Sequence, residues 1–487
     1  MVFNSIEFLI FLPLVVALFY VLPHKWRWLM LLAASCVFYM WFVPKYILIL
    51  LVTIVVDYAA GLLMERYADQ PRKKKAFFIF SIVSTLTVLV IFKYLNFLTE
   101  NLDQLCAALR SIDSQGNDIL GKASGMETHL MTHIILPIGL SFHTFQSMSY
   151  VIEVYRGHQK AERHFGYYAL YVMFFPQLVT GPIERPANLL RQLHEEKKFD
   201  YENISKGMRL ILFGFFIKMV VADHLGEYVD EVYGHLDEYN AGAIWLSMVF
   251  YSFQIYCDFF GYSTIALGSA KLMGFDITDN FKSPYLSKNI AEFWHRWHIS
   301  LSTWFRDYVY IPLGGSRVKF GRWVFNILVV FVLSGIWHGA AWTFLLWGFA
   351  HGLLHIVEKA LRDRMPKKET RSKWLKISID ALCMLKTFVL VTLFWVMFRA
   401  TSFEHLKEIF VAAFTHTGCP ETLSIKPGMW IYLGLFILSD IVLRNTRFDK
   451  WCDDKPLAVR WLIYAVLVFM VIACSSVFNF PFIYFQF

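Results

Sequence analysis

The chain has 487 residues, of which 57% are hydrophobic, 18% are aromatic and only 17% are charged. Its mean hydropathy is positive. This composition excludes an ordinary soluble globular protein, because such proteins carry more charge and less apolar surface. The formal net charge of +8 comes from basic connections between apolar segments, so it does not require a nucleic-acid partner.

Apolar segments of about the 20 residues that cross a bilayer recur along the whole chain. The predicted spans lie near 5–22, 27–43, 45–64, 76–97, 131–152, 166–182, 206–222, 242–270, 324–357, 376–398, 428–444 and 459–476. Several are too long, too short or too broken by Pro and Gly to be simple crossings. We therefore predict an all-α polytopic membrane protein of about 11–13 transmembrane or re-entrant helices.

No fixed-period repeat and no stretch of soluble composition long enough for a second domain interrupts this pattern. A single integral membrane domain is expected over residues 1–487. The seven cysteines are scattered, without CxxC pairs or metal-ligand spacing, so neither a disulfide framework nor a metal site is predicted.

The charge of the connections predicts the orientation of the chain in the membrane. Basic connections occur at 72–75, 155–163, 184–209, 361–376 and 444–460, whereas 223–239 has six acidic residues and no Lys or Arg. Because positive loops stay in the cytoplasm, 223–239 and 414–427 are predicted to lie outside. The last span then runs outward and leaves Phe487 near the exterior face.

Two segments do not fit a simple pattern of spans and loops. Residues 184–205 resemble an amphipathic surface helix, with Leu189, Leu190 and Leu193 on its apolar face. Residues 281–322 interleave aromatic and charged side chains too densely for a lipid-facing helix. A segment of that kind lies at the interface or lines a protein cavity, and Ser287 or Asn289 could cap a helix there.

His338 stands within a run from Trp323 to Val357 that contains no Asp, Glu, Lys or Arg. Polar groups at this depth are expensive, and they are kept mainly where they act or where a neighbour satisfies them. Imidazole can move protons near neutral pH, which favours an intramembrane general base. A histidine satisfied by a backbone carbonyl is the alternative. Gly335 and Gly339 would allow a close backbone approach beside it.

His298 lies in the aromatic segment 281–322 and is the second candidate for acyl transfer. Such a reaction needs a base for the hydroxyl proton and donors for the developing oxyanion, so two histidines could share the work. The alternative is a solvated residue among interfacial aromatic anchors. For His295, satisfaction by Glu292 or by solvent is the favoured interpretation.

Asp258 is a carboxylate inside another apolar run, 254–263. A charged group there is a candidate functional residue by default, but pairing with Arg296 or Arg306 would make it structural. These three residues are also the weak candidates for binding an acyl donor.

Other polar residues favour structural roles. A neutral polar set and one carboxylate could line a cavity, although structural hydrogen bonding is favoured for each: Gln146, Tyr150, Gln177, Thr180 and Glu184. The segment 313–317 (Leu-Gly-Gly-Ser-Arg) lacks the spacing of a phosphate-binding loop, so a turn is predicted.

The terminal segment 478–487 has six aromatic residues in ten and no charged side chain. Such a tail would not remain free in water. It either anchors in the membrane or tucks back into the protein, with Tyr484 reaching a site that faces the exterior.

The chain resembles the membrane-bound O-acyltransferases, in particular the branch of the alginate O-acetyltransferase membrane subunits. The resemblance covers almost the full length. The segments that carry it are 136–142, 181–184, 254–263, 292–307, 310–315, 335–344 and the terminal Pro-Phe-Ile-Tyr-Phe-Gln-Phe487. Cys257 and Phe260, which flank Asp258, depart from the usual pattern of the family.

This resemblance implies a curved helix bundle with funnels from both faces that meet near His338. It also implies that His338 is the catalytic histidine, that His298 is its partner and that His295 is dispensable. In related D-alanyl and peptidoglycan O-acetyl systems a tyrosine in such a tail is thought to carry the acyl group, and Tyr484 matches it.

The expected function is that of a multi-pass acetyltransferase of the bacterial inner membrane. It would take acetyl from cytoplasmic acetyl-CoA, as a substrate and not as a tightly bound cofactor. The acetyl would reach an extracellular or periplasmic polysaccharide, alginate or another, through a periplasmic SGNH or esterase-like partner. One alternative is an acyl-carrier-protein donor, as in D-alanylation. A second is a proton-coupled transporter, which the absence of internal repeats disfavours.

Overall fold

The computed structural model describes residues 1–112, 137–179, 181–364, 372–417, 426–475 and 482–483, without the side chains of 107–112. Within these ranges the secondary structure is helical and no strand occurs. The α-helices in chain order are α1 (Ile6–Val21), α2 (His24–Met40), α3 (Ile47–Arg66), α4 (Pro71–Ile112), α5 (Leu140–Arg156), α6 (Phe165–Met173), α7 (Phe175–Leu178), α8 (Pro186–His194), α9 (Tyr201–Phe215), α10 (Asp223–Gly234), α11 (Ala241–Leu272), α12 (Ile290–Arg296), α13 (Ile299–Phe305), α14 (Phe320–His338), α15 (Trp342–Arg364), α16 (Lys373–Arg399), α17 (Phe403–Thr415), α18 (Pro427–Val442), α19 (Phe448–Asp453) and α20 (Leu457–Ala473).

Five helices of the described chain are long and apolar enough to cross a membrane. They are Pro44–Arg66, Pro71–Cys106, Ala241–Leu272, Phe320–His338 and Lys373–Arg399, and shorter apolar helices lie at Ile6–Val21, Pro427–Val442 and Leu457–Ala473. The predicted all-α polytopic membrane fold is confirmed. The funnels remain a prediction.

Helix α11 is the most deeply embedded of the long helices, with 72% of its most apolar stretch buried inside the protein. It lies directly against α9, because glycines on the two helices face each other. A Cβ at Gly207 would come 2.8 Å from the carbonyl oxygen of Gly268, and one at Gly261 would come 3.0 Å from that of Gly214. Small residues let membrane helices approach until their backbones touch, which places α11 against its neighbour.

The apolar run 324–357 is divided into two helices, where the sequence suggested one long segment. Helix α14 ends at His338, Gly339 continues in extended conformation, and α15 begins at Trp342. The helices pack closely, since a Cβ on Gly335 would collide with the carbonyl oxygen of Phe344, and one on Gly348 with that of Phe331. This reversal leaves His338 at a helix end in the protein interior.

The segment 281–322 forms short helices, as its mixed composition predicts. Asn289 caps α12 by accepting a hydrogen bond from the backbone N–H of Glu292 at 2.9 Å, so Asn289 and not Ser287 is the cap. Helix α13 follows, and its end widens into a π-helical turn at Arg306–Tyr310.

The predicted surface helix within 184–205 is shorter than the segment. It corresponds to α8 and ends at His194. The leucines of its predicted apolar face, Leu189, Leu190 and Leu193, are buried, which confirms the amphipathic interpretation.

A buried carboxylate joins α3 to α4 and α5. Asp57 accepts hydrogen bonds from the hydroxyl groups of Ser81 and Thr85 on α4 and of Ser147 on α5. Hydroxyl donors take the place of water around this charge, so the site is satisfied without a basic residue.

Candidate active site

His338 lies in a pocket of aromatic rings at the inner end of α14. Its side chain is 4% exposed, and the ring centroids of Trp347 on α15 and Phe398 on α16 are 5.0 and 5.3 Å away. The predicted close approach at both glycines is confirmed, because a Cβ at Gly339 would collide with the ring of Phe344. The imidazole is thus held by three helices in surroundings that exclude water.

The backbone around His338 is fixed by two side chains of α4. Lys93 donates from Nζ to the carbonyl oxygens of Trp337 at 2.6 Å and of His338 at 2.9 Å, and the Tyr94 hydroxyl donates to that of Ile336. The last carbonyls of a helix have no partner within the helix, and inside a membrane they must find one elsewhere. Helix α4 therefore completes the end of α14 and sets the position of His338.

His298 lies at the turn between α12 and α13 with a backbone φ of 43°. The left-handed region is uncommon for a residue other than glycine, and residues held there often belong to functional sites. Asn280 holds this turn. Its carbonyl accepts from the N–H of Ile299 at 2.9 Å, and its side-chain oxygen accepts from the hydroxyl of Ser300 at 2.7 Å.

The ring of His298 is completely buried and is surrounded by aromatic side chains. Phe259 lies edge-on at 4.7 Å between centroids, and Phe142 lies roughly parallel at 6.1 Å. Neither ring nitrogen has a hydrogen-bond partner among the described residues. The interfacial-anchor interpretation is therefore wrong, because such an anchor would be solvated.

Trp337 contacts both candidate histidines. Its ring centroid is 6.0 Å from that of His298 and 4.9 Å from that of His338. The structure thus brings together residues that are separated by forty positions in the sequence and that we predicted to act as a pair. We call this enclosure of His298, His338, Trp337, Phe142 and Phe259 the histidine chamber.

His351 extends the histidine chamber along α15, and the sequence reasoning missed it. Its ring is fully buried at 5.0 Å from Trp347 and 4.8 Å from Phe394, and neither nitrogen has a partner among the described residues. The signal was present, because the charge-free run 323–357 contains three histidines, of which only His338 was considered.

Asp258 does not pair with Arg296 or Arg306, the two partners that the structural alternative named. Arg296 bonds Glu292 at 3.0 Å and Arg306 bonds Asp307 at 2.8 Å, whereas Asp258 pairs with Lys218 at 2.5 Å. Nothing in the sequence indicated this partner, because Lys218 is a single charged residue in the apolar run 210–222. A buried carboxylate takes the nearest buried cation, and both arginines lie in more exposed positions.

A second carboxylate completes this buried ion cluster. Asp223 contacts the ammonium of Lys218 at 2.7 Å, and all three side chains are at most 5% exposed. Lys218 lies on the π-helical turn Phe216–Ala222, which adds a residue to the helix and redirects the side chains after it.

Part of the C-terminal tail lies next to this cluster. The backbone N–H of Ile483 donates to Oδ2 of Asp258 at 2.7 Å, and the ring of Phe482 lies 4.6 Å from that of Tyr262. Both tail residues are buried, which supports a tail tucked into the protein. Tyr484 itself lies outside the described residues.

The polar residues for which structural hydrogen bonding was favoured make such bonds wherever the structure describes them. Gln146 and Gln177 both donate to the carbonyl oxygen of Tyr171, at 2.6 and 2.8 Å. Tyr150 accepts from the N–H of Glu162, and Glu184 accepts from Asn188. The favoured interpretation is confirmed for these four, and Thr180 lies outside the described residues.

The segment 313–317 forms a turn, as predicted. Gly314 and Gly315 both have positive φ, 106° and 57°, and Asn326 donates to the carbonyl oxygens of Leu313 and Gly315 at 3.2 Å. The positive φ values of the turn account for both glycines, so a phosphate-binding role is not needed to explain them.

A cavity of about 610 Å³ opens beside the histidine chamber. Its floor includes Asn280 and Phe281, and the Phe281 ring contacts Phe259 at 5.0 Å. Its charged lining comprises Asp279, Lys282, Glu292, His295, Arg296, Asp440, Arg444, Arg447 and Lys450. His295 is exposed there, in agreement with the favoured interpretation. Cations outnumber carboxylates, which suits an anionic ligand.

No group of three or more His, Cys, Asp or Glu side chains in the described part of the chain could hold a metal ion.

Comparison with known proteins identifies relatives. The model of the membrane-bound O-acyltransferase family matches residues 158–403. A probable alginate O-acetylase AlgI of Azotobacter vinelandii is 37% identical over 85% of this chain and 78% of its own length. The corresponding protein of Pseudomonas putida is 34% identical over the full length of both chains. A peptidoglycan O-acetyltransferase of Helicobacter pylori is 32% identical over 80% of this chain and 73% of its own.

Proposed function

The chain belongs to the membrane-bound O-acyltransferase family, and we propose that it passes acetyl from cytoplasmic acetyl-CoA across a bacterial inner membrane to a polysaccharide. It is an O-acyltransferase and a multi-pass membrane protein. One observation carries the proposal beyond this. The rings of His298 and His338 both contact Trp337 in a buried aromatic chamber. Two such groups could supply the base and the oxyanion donor that acyl transfer needs.

The chemistry assigned to the pair is a transfer from thioester to hydroxyl. The hydroxyl oxygen bonds to the thioester carbonyl carbon while a ring nitrogen of His338 accepts its proton. The carbon–sulfur bond then breaks, and the leaving thiolate takes the proton back from the imidazolium. His298 serves as a donor to the oxyanion that forms on the carbonyl, since both its nitrogens are buried without other partners among the described residues.

The cavity beside the chamber is the proposed entrance for the donor. It is lined by Arg444 and Arg447 from the basic connection 444–460, which is predicted from its charge to lie in the cytoplasm. Arginine and lysine side chains suit the phosphate groups of coenzyme A. The floor of the cavity is separated from His298 by one aromatic ring, that of Phe259.

The acceptor inside the protein is proposed to be the hydroxyl of Tyr484. It follows Ile483, which is buried beside Asp258. A periplasmic esterase-like partner would then move the acetyl group to a sugar hydroxyl. The names of the relatives, alginate O-acetylase and peptidoglycan O-acetyltransferase, support a polysaccharide as the final acceptor.

The test is release of coenzyme A from labelled acetyl-CoA by the purified protein in proteoliposomes, with a periplasmic extract and the polysaccharide supplied so that acetyl can leave the protein and turnover continues. Wild type should turn over, His338→Ala should lose about 100-fold or more in kcat, and His295→Ala should stay near wild type. Supplying acyl-carrier protein in place of acetyl-CoA tests the alternative donor. Turnover that requires the carrier protein, or that is equal in wild type and a folded His338→Ala protein, would overturn the proposal.

A second measurement tests the carrier tyrosine alone. Tyr484→Phe should abolish label on the chain and on the polymer while the protein remains folded. Polymer acetylation by Tyr484→Phe at the wild-type rate would remove Tyr484 from the mechanism and leave the role of His338 untouched.

A further inference from the structure

We propose that the buried ion cluster of Lys218, Asp223 and Asp258 is a positioning device that holds the C-terminal tail at the histidine chamber. The contact that does this is the hydrogen bond from the backbone N–H of Ile483 to Asp258. This inference rests on the proposed function, because it assigns the residues that present the tail for acyl transfer.

The cluster is built to hold a carboxylate in a fixed place far from water. Lys218 contacts Asp258 at 2.5 Å and Asp223 at 2.7 Å, and these side chains are between 1% and 5% exposed. An isolated carboxylate at this depth would be too costly, so the cation is required for Asp258 to remain ionised. One ammonium between two carboxylates leaves acceptor capacity on Asp258 that the tail N–H uses.

The tail is also held by Phe482, the residue before this hydrogen bond. The ring of Phe482 lies 4.6 Å from that of Tyr262, which is one turn beyond Asp258 on α11, and 5.7 Å from that of Phe259. Phe259 also lies edge-on to His298 at 4.7 Å. A continuous series of contacts therefore runs from the anchored tail to the histidine chamber.

Tyr484 follows Ile483 directly, so the bond to Asp258 fixes the point from which Tyr484 departs. Misplacing a reacting group by about 1 Å can cost about 100-fold in rate. Asp258 is thus a positioning residue. It acts on the reaction through the tail backbone, and its loss should lower kcat without changing the affinity for acetyl-CoA.

Two substitutions at position 483 separate the hydrogen bond from side-chain packing. Ile483→Pro removes the N–H donor, and Ile483→Val keeps it with the same number of side-chain carbons as proline. We expect kcat for acetyl-CoA turnover to fall at least about tenfold in the proline variant, with KM unchanged, and to remain near wild type in the valine variant.

A second pair changes the cluster. Asp258→Leu removes the acceptor and leaves Lys218 neutralised by Asp223, whereas Asp223→Leu leaves Lys218 paired with Asp258 and keeps the acceptor. The readout, independent of activity, is hydrogen–deuterium exchange of the C-terminal peptide. Its amides should exchange faster in Asp258→Leu than in wild type, and the increase should be smaller in Asp223→Leu, which keeps the acceptor.

Equal exchange in the two leucine variants, or equal kcat in the proline and valine variants, would overturn the anchor. If the two leucine variants differ in exchange but the wild-type protein consumes no acetyl-CoA, the anchor stands and the proposed donor is overturned. The two failures are therefore distinguishable.

Discussion

The ammonium of Lys93 lies 2.9 Å from the main-chain oxygen of His338, so a charged side chain of α4 completes the end of the helix that carries the candidate base. Through a second bond at 2.6 Å it also holds the carbonyl of Trp337, whose ring contacts both histidines. The position of the chamber is thus set from a helix that contributes no histidine to it.

Replacing Lys93 tests this dependence. Lys93→Met removes the donor to both carbonyls, and we expect kcat for acetyl-CoA turnover to fall about tenfold because the end of α14 moves. Lys75→Met on the same helix is the matched control, since Lys75 is exposed, and it should behave as wild type. Unchanged kcat in Lys93→Met would mean that α14 holds His338 without help from α4.

The crossing of α14 and α15 offers a test by steric interference. Gly335→Ala places a Cβ against the carbonyl of Phe344, so we expect a loss of about 1–3 kcal/mol in stability together with most of the activity. Gly321→Ala on the same helix has no atom within 4 Å of the new Cβ and should be neutral. Thermal unfolding in detergent compares the two. Equal midpoints would show that the crossing tolerates a methyl group.

The left-handed backbone of His298 predicts a difference between two inactive variants. Asparagine tolerates a φ of 43°, whereas a β-branched residue does not, so His298→Val should be less stable than His298→Asn by about 1 kcal/mol. Chemical or thermal denaturation in detergent measures the difference. Should the valine variant prove equally stable, the turn held by Asn280 would be free to adopt another conformation.

The buried ion cluster predicts that one substitution strongly lowers the stability of the protein and that two further substitutions restore it. Lys218→Met leaves Asp223 and Asp258 without their cation, which should cost about 3–5 kcal/mol. Adding Asp223→Asn and Asp258→Asn to the same protein should recover most of the loss, because no uncompensated charge remains. Yield and thermal unfolding are the measurements. A triple variant no more stable than Lys218→Met would show that the unpaired carboxylates do not cause the loss of stability.

The sequence predicted the fold class and singled out the main candidate for the general base. Recurrent apolar segments predicted a polytopic helical membrane protein, and a histidine in a charge-free run singled out His338. The composition of 281–322 predicted short helices, and Asn289 caps one of them. These features follow from local spacing and from the cost of burying polar groups, both of which are visible in a single chain.

The contact partners of buried polar residues could not be predicted from the local sequence. For Asp258 the sequence left a functional role or pairing with an arginine open, whereas its partner is Lys218, forty residues earlier and isolated among apolar residues. His351 stands in the same charge-free run as His338, but nothing in the local sequence shows that it lies near the other buried histidines. Charge pairing inside a membrane depends on which helices pack together, and helix packing is a property of the whole bundle.

The sequence alone determined that the chain is helical, lies in a membrane and contains histidines that are costly to bury. Only the tertiary structure decided that His298 and His338 share one chamber, that Lys93 completes the helix beside it and that Asp258 holds Ile483. The physical reason is the sequence distance over which each kind of interaction acts. Hydropathy and helix periodicity act over a few residues, whereas the contacts that make a site join residues that are tens to hundreds of positions apart.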